Sequence, residues 1–185
     1  TPICKNGYVE LSSGKRIRIH QIHMEEDAGK LVHKSGDVYV DYNRGGVPLL
    51  EIVTEPDISS SEEAREYVEK LQMIMRYIGV SDCKMQEGSM RCDVNVSVKP
   101  EGSRVLGTRT EIKNMNSITF MTKAIDYEYK RHVAVIESGE KVIQQTLRYI
   151  ESTNSTESMR SKEDAQDYRY FGDPDLVEIN LDESY

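Results

Sequence analysis

The chain has 185 residues, 37% of them hydrophobic, with 24 Lys plus Arg against 32 Asp plus Glu and a formal net charge of −8. No apolar run approaches the roughly 20 residues that a membrane-spanning helix needs, and no basic stretch leading into an apolar core opens the chain, so a cytoplasmic protein without a membrane partner is expected. The acidic balance has the wrong sign for gripping a nucleic-acid backbone unaided, so any such grip is expected from another domain or subunit.

The first half of the chain reads as short strands. Residues 8–11 form one, Ser12-Ser13-Gly14 makes a turn, and residues 16–24 follow with Ile17, Ile19, Ile22 and Met24 apolar. The alternation slips by one between Ile19 and Ile22, which predicts a β-bulge. Residues 38–42 and 47–54 flank Asn43-Arg44-Gly45-Gly46 and are expected to pair as a hairpin with a long loop. A helix follows: Ser60-Ser61-Glu62-Glu63 fits a capping box, Ala64, Val68, Leu71, Met75 and Ile78 recur at threes and fours, and Gly79 stands at the C-terminal cap. One face of it should lie on the sheet.

A second helix is expected to begin near Ser117 and to carry Ile118, Met121, Ile125 and Ile136 toward Gly139, its stripe interrupted by Tyr129 and His132. Residues 142–149 read as a strand, residues 151–157 as a loop and residues 162–167 as a helical turn. The fold class is α+β, a largely antiparallel sheet with packed helices. Cys4, Cys83 and Cys92 form no Cys-x-x-Cys pair and read as reduced structural thiols. His20, His23, His33 and His132 lack His-x-x-x-His spacing and are expected as surface or packed residues.

The stretch between the two helices carries the chemistry. From 90 to 99 the chain alternates strictly, with Met90, Cys92, Val94, Val96 and Val98 on one face and Arg91, Asp93, Asn95, Ser97 and Lys99 on the other. Thr108 to Lys113 alternates as well, placing Arg109, Glu111 and Lys113 together, and Pro100-Glu101-Gly102-Ser103 is a turn signal. A hairpin symmetric about Gly102 would oppose Asp93 to Glu111, Arg91 to Lys113 and Asn95 to Arg109. Two carboxylates facing each other repel unless a cation lies between them, and a divalent ion would meet that need. The other reading is a solvated face whose charges pair diagonally, Arg91 with Glu111 for instance.

Five runs then identify a relative. His23-Met24-Glu25-Glu26-Asp27-Ala28-Gly29-Lys30, Asp41-Tyr42-Asn43-Arg44 running into Gly46-Val47-Pro48-Leu49-Leu50-Glu51-Ile52-Val53-Thr54-Glu55-Pro56-Asp57, Met90-Arg91-Cys92-Asp93 with Asn95-Val96-Ser97-Val98, Glu111-Ile112-Lys113-Asn114 with Asn116-Ser117, and Ser158-Met159-Arg160-Ser161-Lys162-Glu163 with Asp167-Tyr168-Arg169-Tyr170-Phe171 closely resemble the B-subunit family of the glutamyl-tRNA(Gln)/aspartyl-tRNA(Asn) amidotransferases. The resemblance spans nearly the whole chain. It implies a cradle distantly like glutamine synthetase and guanido kinases. ATP would phosphorylate the carboxylate of a misacylated Glu-tRNA(Gln) or Asp-tRNA(Asn), and ammonia from a glutaminase A subunit, strapped on by a small C subunit, would then displace the phosphate.

The resemblance further implies a magnesium site that matches Glu26, Asp93 and Glu111, with Lys30, Arg91, Lys113 and Arg160 as candidate cations for ATP and the reacting anions. Residues 1–185 would be the central part of the cradle domain. An N-terminal segment bearing a Glu and a His of the same metal site, and C-terminal helical and tail domains, would belong to the longer family members. The chain alone is therefore expected to be inactive. Gly172 stands where the family usually has Pro. Three other readings share some of these residues: a ligase acting on a free small carboxylate, the archaeal E subunit, and a binding module for tRNA or the amidase. The last fits poorly with Glu26, Asp93 and Glu111 all being acidic.

Overall fold

In the computed structural model, residues 2–113 and 115–159 are described. The strands are β1 (Pro2–Glu10), β2 (Arg16–Glu26), β3 (Lys30–Lys34), β4 (Asp37–Asp41), β5 (Pro48–Thr54), β6 (Val94–Val96), β7 (Thr110–Lys113), β8 (Thr146–Ile150) and β9 (Ser155–Ser158). The helices are α1 (Ser61–Tyr77) and α2 (Ile118–Glu137). Strands β1-β2-β5 form an antiparallel sheet, β3-β4 a separate hairpin, and β6-β7-β8-β9 a second sheet whose one parallel pair is β7 with β8. This is the expected α+β class.

The bulge lies where the alternation slipped: pairing of β2 with β5 shifts between Ile19 and Gln21. Ile17 and Ile19 therefore share the core face with Ile22, and His23 and Glu25 are turned to the other face. The expected hairpin of residues 38–42 with 47–54 does not form. Strand β4 pairs instead with β3, through Ser35 and Gly36 at φ 53° and 90°, and β5 pairs with β2. A two-residue loop with both residues left-handed matches the twist of adjoining strands, and it closes locally before the longer 42–47 turn can.

Both helices are capped as their sequences dictate. Ser60 Oγ accepts from Glu63 N at 3.1 Å, and the Glu63 carboxylate reaches one residue further back than a capping box requires, to Ser59 N at 2.7 Å. Ser117 caps α2 through Phe120 N at 3.1 Å. Gly79 at φ 73° ends α1, with Val80 N donating to Met75 O at 3.0 Å and Gly79 N to Arg76 O at 3.1 Å.

Helix α1 lays Ala64, Tyr67, Val68 and Leu71 against Val9, Leu11 and Ile17, and α2 lays Met121 and Ala124 against Val96, Ile112 and Tyr149. Burying side chains such as Ile17, Ile112 and Met121 stabilises the fold by about 1.5–3 kcal/mol each. Ile136, expected on the α2 stripe, is exposed, whereas His132 is wholly buried and Tyr129 points outward. The helical period placed His132 inward, where the hydrogen bond of Nε2 to Thr110 offsets part of the cost of burial while Nδ1 is buried without a partner among the described residues.

Residues 151–157, expected as a loop, belong to a tight hairpin instead: residues 155–158 are β9, paired with β8 from Ile150↔Ser155 to Leu147↔Ser158. Asn154 at φ 49° makes the turn, a conformation asparagine tolerates. The helical turn expected at 162–167 lies outside the described residues. Among the described residues no helix is long and apolar enough to cross a membrane.

Candidate functional site

Strand β7 divides two chemistries between its faces. Thr110 and Ile112 point inward to α2, while Glu111 and Lys113 point outward. The neighbours continue the outward rows, because Glu111 pairs with Asn95 on β6 and with Thr146 on β8, and Lys113 with Arg148, which in turn pairs with Glu157 on β9. Asp93 immediately precedes β6 on the same face.

The register differs from the expected one. Pairing of β6 with β7 is centred on Ser103, not Gly102, with Val94↔Ile112 and Val96↔Thr110. Glu111 therefore faces Asn95, and Asp93 meets Lys113, so the two carboxylates are not opposed. The reason lies in the loop. A turn closes at Pro100–Ser103, and the remaining residues run back so tightly past Val98 that a Cβ on Gly107 would collide with the Val98 carbonyl at 2.1 Å. A displacement of two keeps every side chain on its face, so alternation alone could not detect it.

Lys113 now occupies the position expected for a cation. Its Nζ lies 3.4 Å from Asp93 Oδ2 and 3.5 Å from Glu111 Oε1. Partial burial works to lower the pKa of its ammonium group, but the charges of Asp93 and Glu111, with hydrogen bonds to them, outweigh it and leave the value raised. Thr146 Oγ1 donates to Glu111 Oε2 at 3.2 Å. A polar cavity of about 310 Å³ opens here, lined by Asn95, Arg109, Glu111, Gln144, Gln145 and Thr146. Sequence reasoning had Asn95 and Arg109 on this face but missed Gln144, Gln145 and Thr146, since nothing in one strand's alternation announces a parallel neighbour from beyond a helix.

Glu26 ends β2, exposed and opposite Pro48, and does not converge with Asp93 and Glu111 into a three-carboxylate cluster. Its neighbour supplies the link between the sheets. Asp27 Oδ2, buried and without a well-directed hydrogen bond, lies 2.8 Å from Arg44 Nε and 3.9 Å from an Arg91 nitrogen. Arg44 also donates to the Gly88 carbonyl at 3.1 Å, and a Cβ on Gly88 would press on the same guanidinium at 3.1 Å. Asp27 and Arg44 stand within the quoted motifs, but only the tertiary contact reveals them as the tie that draws Arg91 toward the end of β2. Lys30 opens β3 opposite Asp41, on the hairpin that joins neither sheet. Arg160 lies outside the described residues.

Behind β7 the chemistry is closed. Glu128 and His132 on α2 are both 0% exposed. Thr110 Oγ1 donates to Glu128 Oε2 at 2.9 Å and accepts from His132 Nε2 at 3.0 Å, Arg131 forks onto both Glu128 oxygens at 2.8 and 2.7 Å, and Thr156 donates to Oε1 at 2.5 Å. Burial pushes the Glu128 carboxyl up, yet the hydrogen bonds from Arg131, Thr156 and Thr110 and the Arg131 charge bring it below its ordinary value. Burial holds His132 below its ordinary value despite the Glu128 charge beside it. Cys92 is likewise no nucleophile: burial, then the Asp93 charge, push its thiol up to about 11.

The carboxylates of Asp93 and Glu111 are hard oxygen donors around one cation position, a set that suits Mg²⁺ once Lys113 turns aside.

Comparison with known proteins places these residues in a family. The model of the GatB/GatE catalytic domain matches residues 1–185. The B subunits of aspartyl/glutamyl-tRNA(Asn/Gln) amidotransferases are similar over the whole chain: that of Lachnospira eligens is 58% identical over 190 residues, that of Clostridium tetani 56% over 188, and that of Caldicellulosiruptor saccharolyticus 56% over 189. The chain spans 39% of the length of each.

Proposed function

Because this chain belongs to the GatB/GatE catalytic-domain family, we propose that it carries the carboxylate-activating site of a tRNA-dependent amidotransferase. The substrates are ATP and a glutamate or aspartate esterified to the wrong tRNA. The γ-phosphoryl group passes to a side-chain carboxylate oxygen, giving an acyl phosphate and ADP. Ammonia then attacks the acyl carbon, the C–O bond to phosphate breaks, and the amide and inorganic phosphate leave. Partner chains complete the machine: an amidase subunit that releases ammonia from glutamine, and a small subunit that straps the two together.

The observation that carries this reading is the outward face of β6, β7 and β8, where acid, base and amide groups converge on one open cavity. Asp93 and Glu111 would hold Mg²⁺, with Glu26 at the end of β2 assigned to the same ion by family resemblance alone. Bound there, the ion would supply positive charge against the phosphate oxygens. Lys113, released from the two carboxylates, meets the anionic groups, and Arg91, 3.9 Å from Asp27, is assigned to the same anions. An anion attacking an anion needs such cations fixed in place before reaction. Lys30 and Arg160 are assigned to the same duty by family resemblance alone. Gln144, Gln145 and Asn95 supply neutral donors that orient a carboxylate or phosphate without adding charge.

The test is ATP hydrolysis by the full-length assembly, measured with charged tRNA and with free glutamate. Stimulation by misacylated tRNA alone is the expected result. Equal stimulation by the free amino acid would move the protein to the small-carboxylate ligases.

A further inference from the structure

Strand β8 reaches the proposed site from beyond a helix, and its first residue touches one of the two carboxylates there. We infer that Thr146 is a positioning residue for metal binding: its hydroxyl holds one oxygen of Glu111 so that the other stays turned to the cation position shared with Asp93. This rests on the assignment of Mg²⁺ to that position. Thr146 lies directly beside Glu111 in the parallel pairing of β7 with β8, so both side chains leave the outer face. Thr146 Oγ1 donates to Glu111 Oε2 at 3.2 Å, while Glu111 Oε1 lies 3.5 Å from Lys113 Nζ.

The fold fixes this donor in place. Met159 N donates to the Thr146 carbonyl at 2.9 Å and Glu111 N to the Gln145 carbonyl at 3.0 Å, so the backbone is held from both sides. Leu147 and Tyr149, both buried in the core, set the roll of β8. A β-branched side chain on such a strand has few χ1 choices left. Thr146 is only partly buried, so water could satisfy its hydroxyl, and burial alone does not demand the bond to Glu111. Among the described residues it is the one neutral side chain that hydrogen-bonds to Asp93 or Glu111. Lys113, which approaches both, is a point charge on a flexible stem and at longer range. A carboxylate with one oxygen engaged by a fixed hydroxyl presents the other to a metal, and outer partners of this kind orient a ligand.

The experiment titrates full-length protein, stripped of metal with a chelator, with Mn²⁺, which takes the same oxygen donors as Mg²⁺ and is read by electron paramagnetic resonance. Loss of an outer partner costs about 10–100-fold in metal affinity, so Thr146→Val should weaken Mn²⁺ binding by about tenfold or more while Tm stays unchanged. Thr146→Ser, which keeps the donor, should recover most of that loss, and in a Glu111→Gln background Thr146→Val should add nothing. In the full-length assembly, the Mg²⁺ concentration that half-saturates tRNA-stimulated ATP hydrolysis should rise by the same factor, with little change in the rate at saturating Mg²⁺. The inference is overturned if Thr146→Val binds Mn²⁺ as wild type does, if Thr146→Ser is as poor as Thr146→Val, or if Thr146→Val lowers Tm and leaves both metal curves in place. Should Thr146→Val fail to fold, Thr146→Ala takes its place. Glu111→Gln tells the two readings apart. If that variant also binds Mn²⁺ and hydrolyses ATP as wild type does, the Mg²⁺ assignment fails and the role of Thr146 with it. If Glu111→Gln is impaired and Thr146→Val is not, the role of Thr146 alone is removed.

Discussion

The two faces of the β6–β9 sheet use the same ion pair under opposite conditions. On the inner face Arg131 forks onto Glu128, whose side chain is 0% exposed, and Thr110 and Thr156 complete its hydrogen bonds. On the outer face Arg148 meets Glu157 across β8 and β9 at 3.1 Å, both 54% exposed. Water competes for the outer pair and not for the inner one. The inner network can therefore fix the strands, and the outer charges stay free to be rearranged by a substrate.

The sharpest way to break this contrast is Glu128→Ala. It strands Arg131, Thr110, Thr156 and His132 together, and a loss of about 3–5 kcal/mol in urea unfolding is expected. A loss under about 1 kcal/mol would mean that the inner face behaves like the outer.

On the outer face, Asp93→Asn and Glu111→Gln should do the reverse, leaving Tm nearly unchanged. In the full-length assembly they should lower tRNA-stimulated ATP hydrolysis by about 10²–10³. Near-normal turnover at saturating Mg²⁺ by either variant removes that residue from the site.

Acid should sharpen the comparison further. His132 is held below its ordinary 6.5, so the unfolded chain takes up its proton first, and the stability tied to neutral His132 is lost as pH falls below that value. Glu128 is held below its ordinary 4.5, so its contribution is full above 4.5 and disappears as pH falls through its lower folded value. Tm should thus fall in two stages, and His132→Gln should remove the first.

The smallest effect belongs to the outer pair. A double-mutant cycle on Arg148 and Glu157 should give a coupling of about 0.2–1 kcal/mol that fades with added salt.

How much of this was legible beforehand varies with the range of the interaction. The caps at Ser60 and Ser117, the bulge after Ile19 and the polar face of Asp93, Asn95, Glu111 and Lys113 were all readable, because each depends on residues a few positions apart. The pairing of β4 was missed because the turn composition at residues 43–46 was read as its hairpin and Ser35-Gly36 was not read as a turn. His132 was taken as an interruption of its helix because a histidine shows no partners in a sequence. Three of them lie at 110, 128 and 131 in the fold, near enough to contact it or the carboxylate it shares.

What the sequence determined by itself is the family, the α+β class, the two capped helices and the shared face of Asp93, Asn95, Glu111 and Lys113, because motif order and periods of 3.6 and 2 are written locally. Tertiary structure alone decided that Lys113 sits between Asp93 and Glu111, that Gln144 and Thr146 join them, and that His23 meets Glu51. Strand register and choice of neighbour are set by loop conformation and by packing between distant segments. A shift of two residues leaves every face intact while changing every partner.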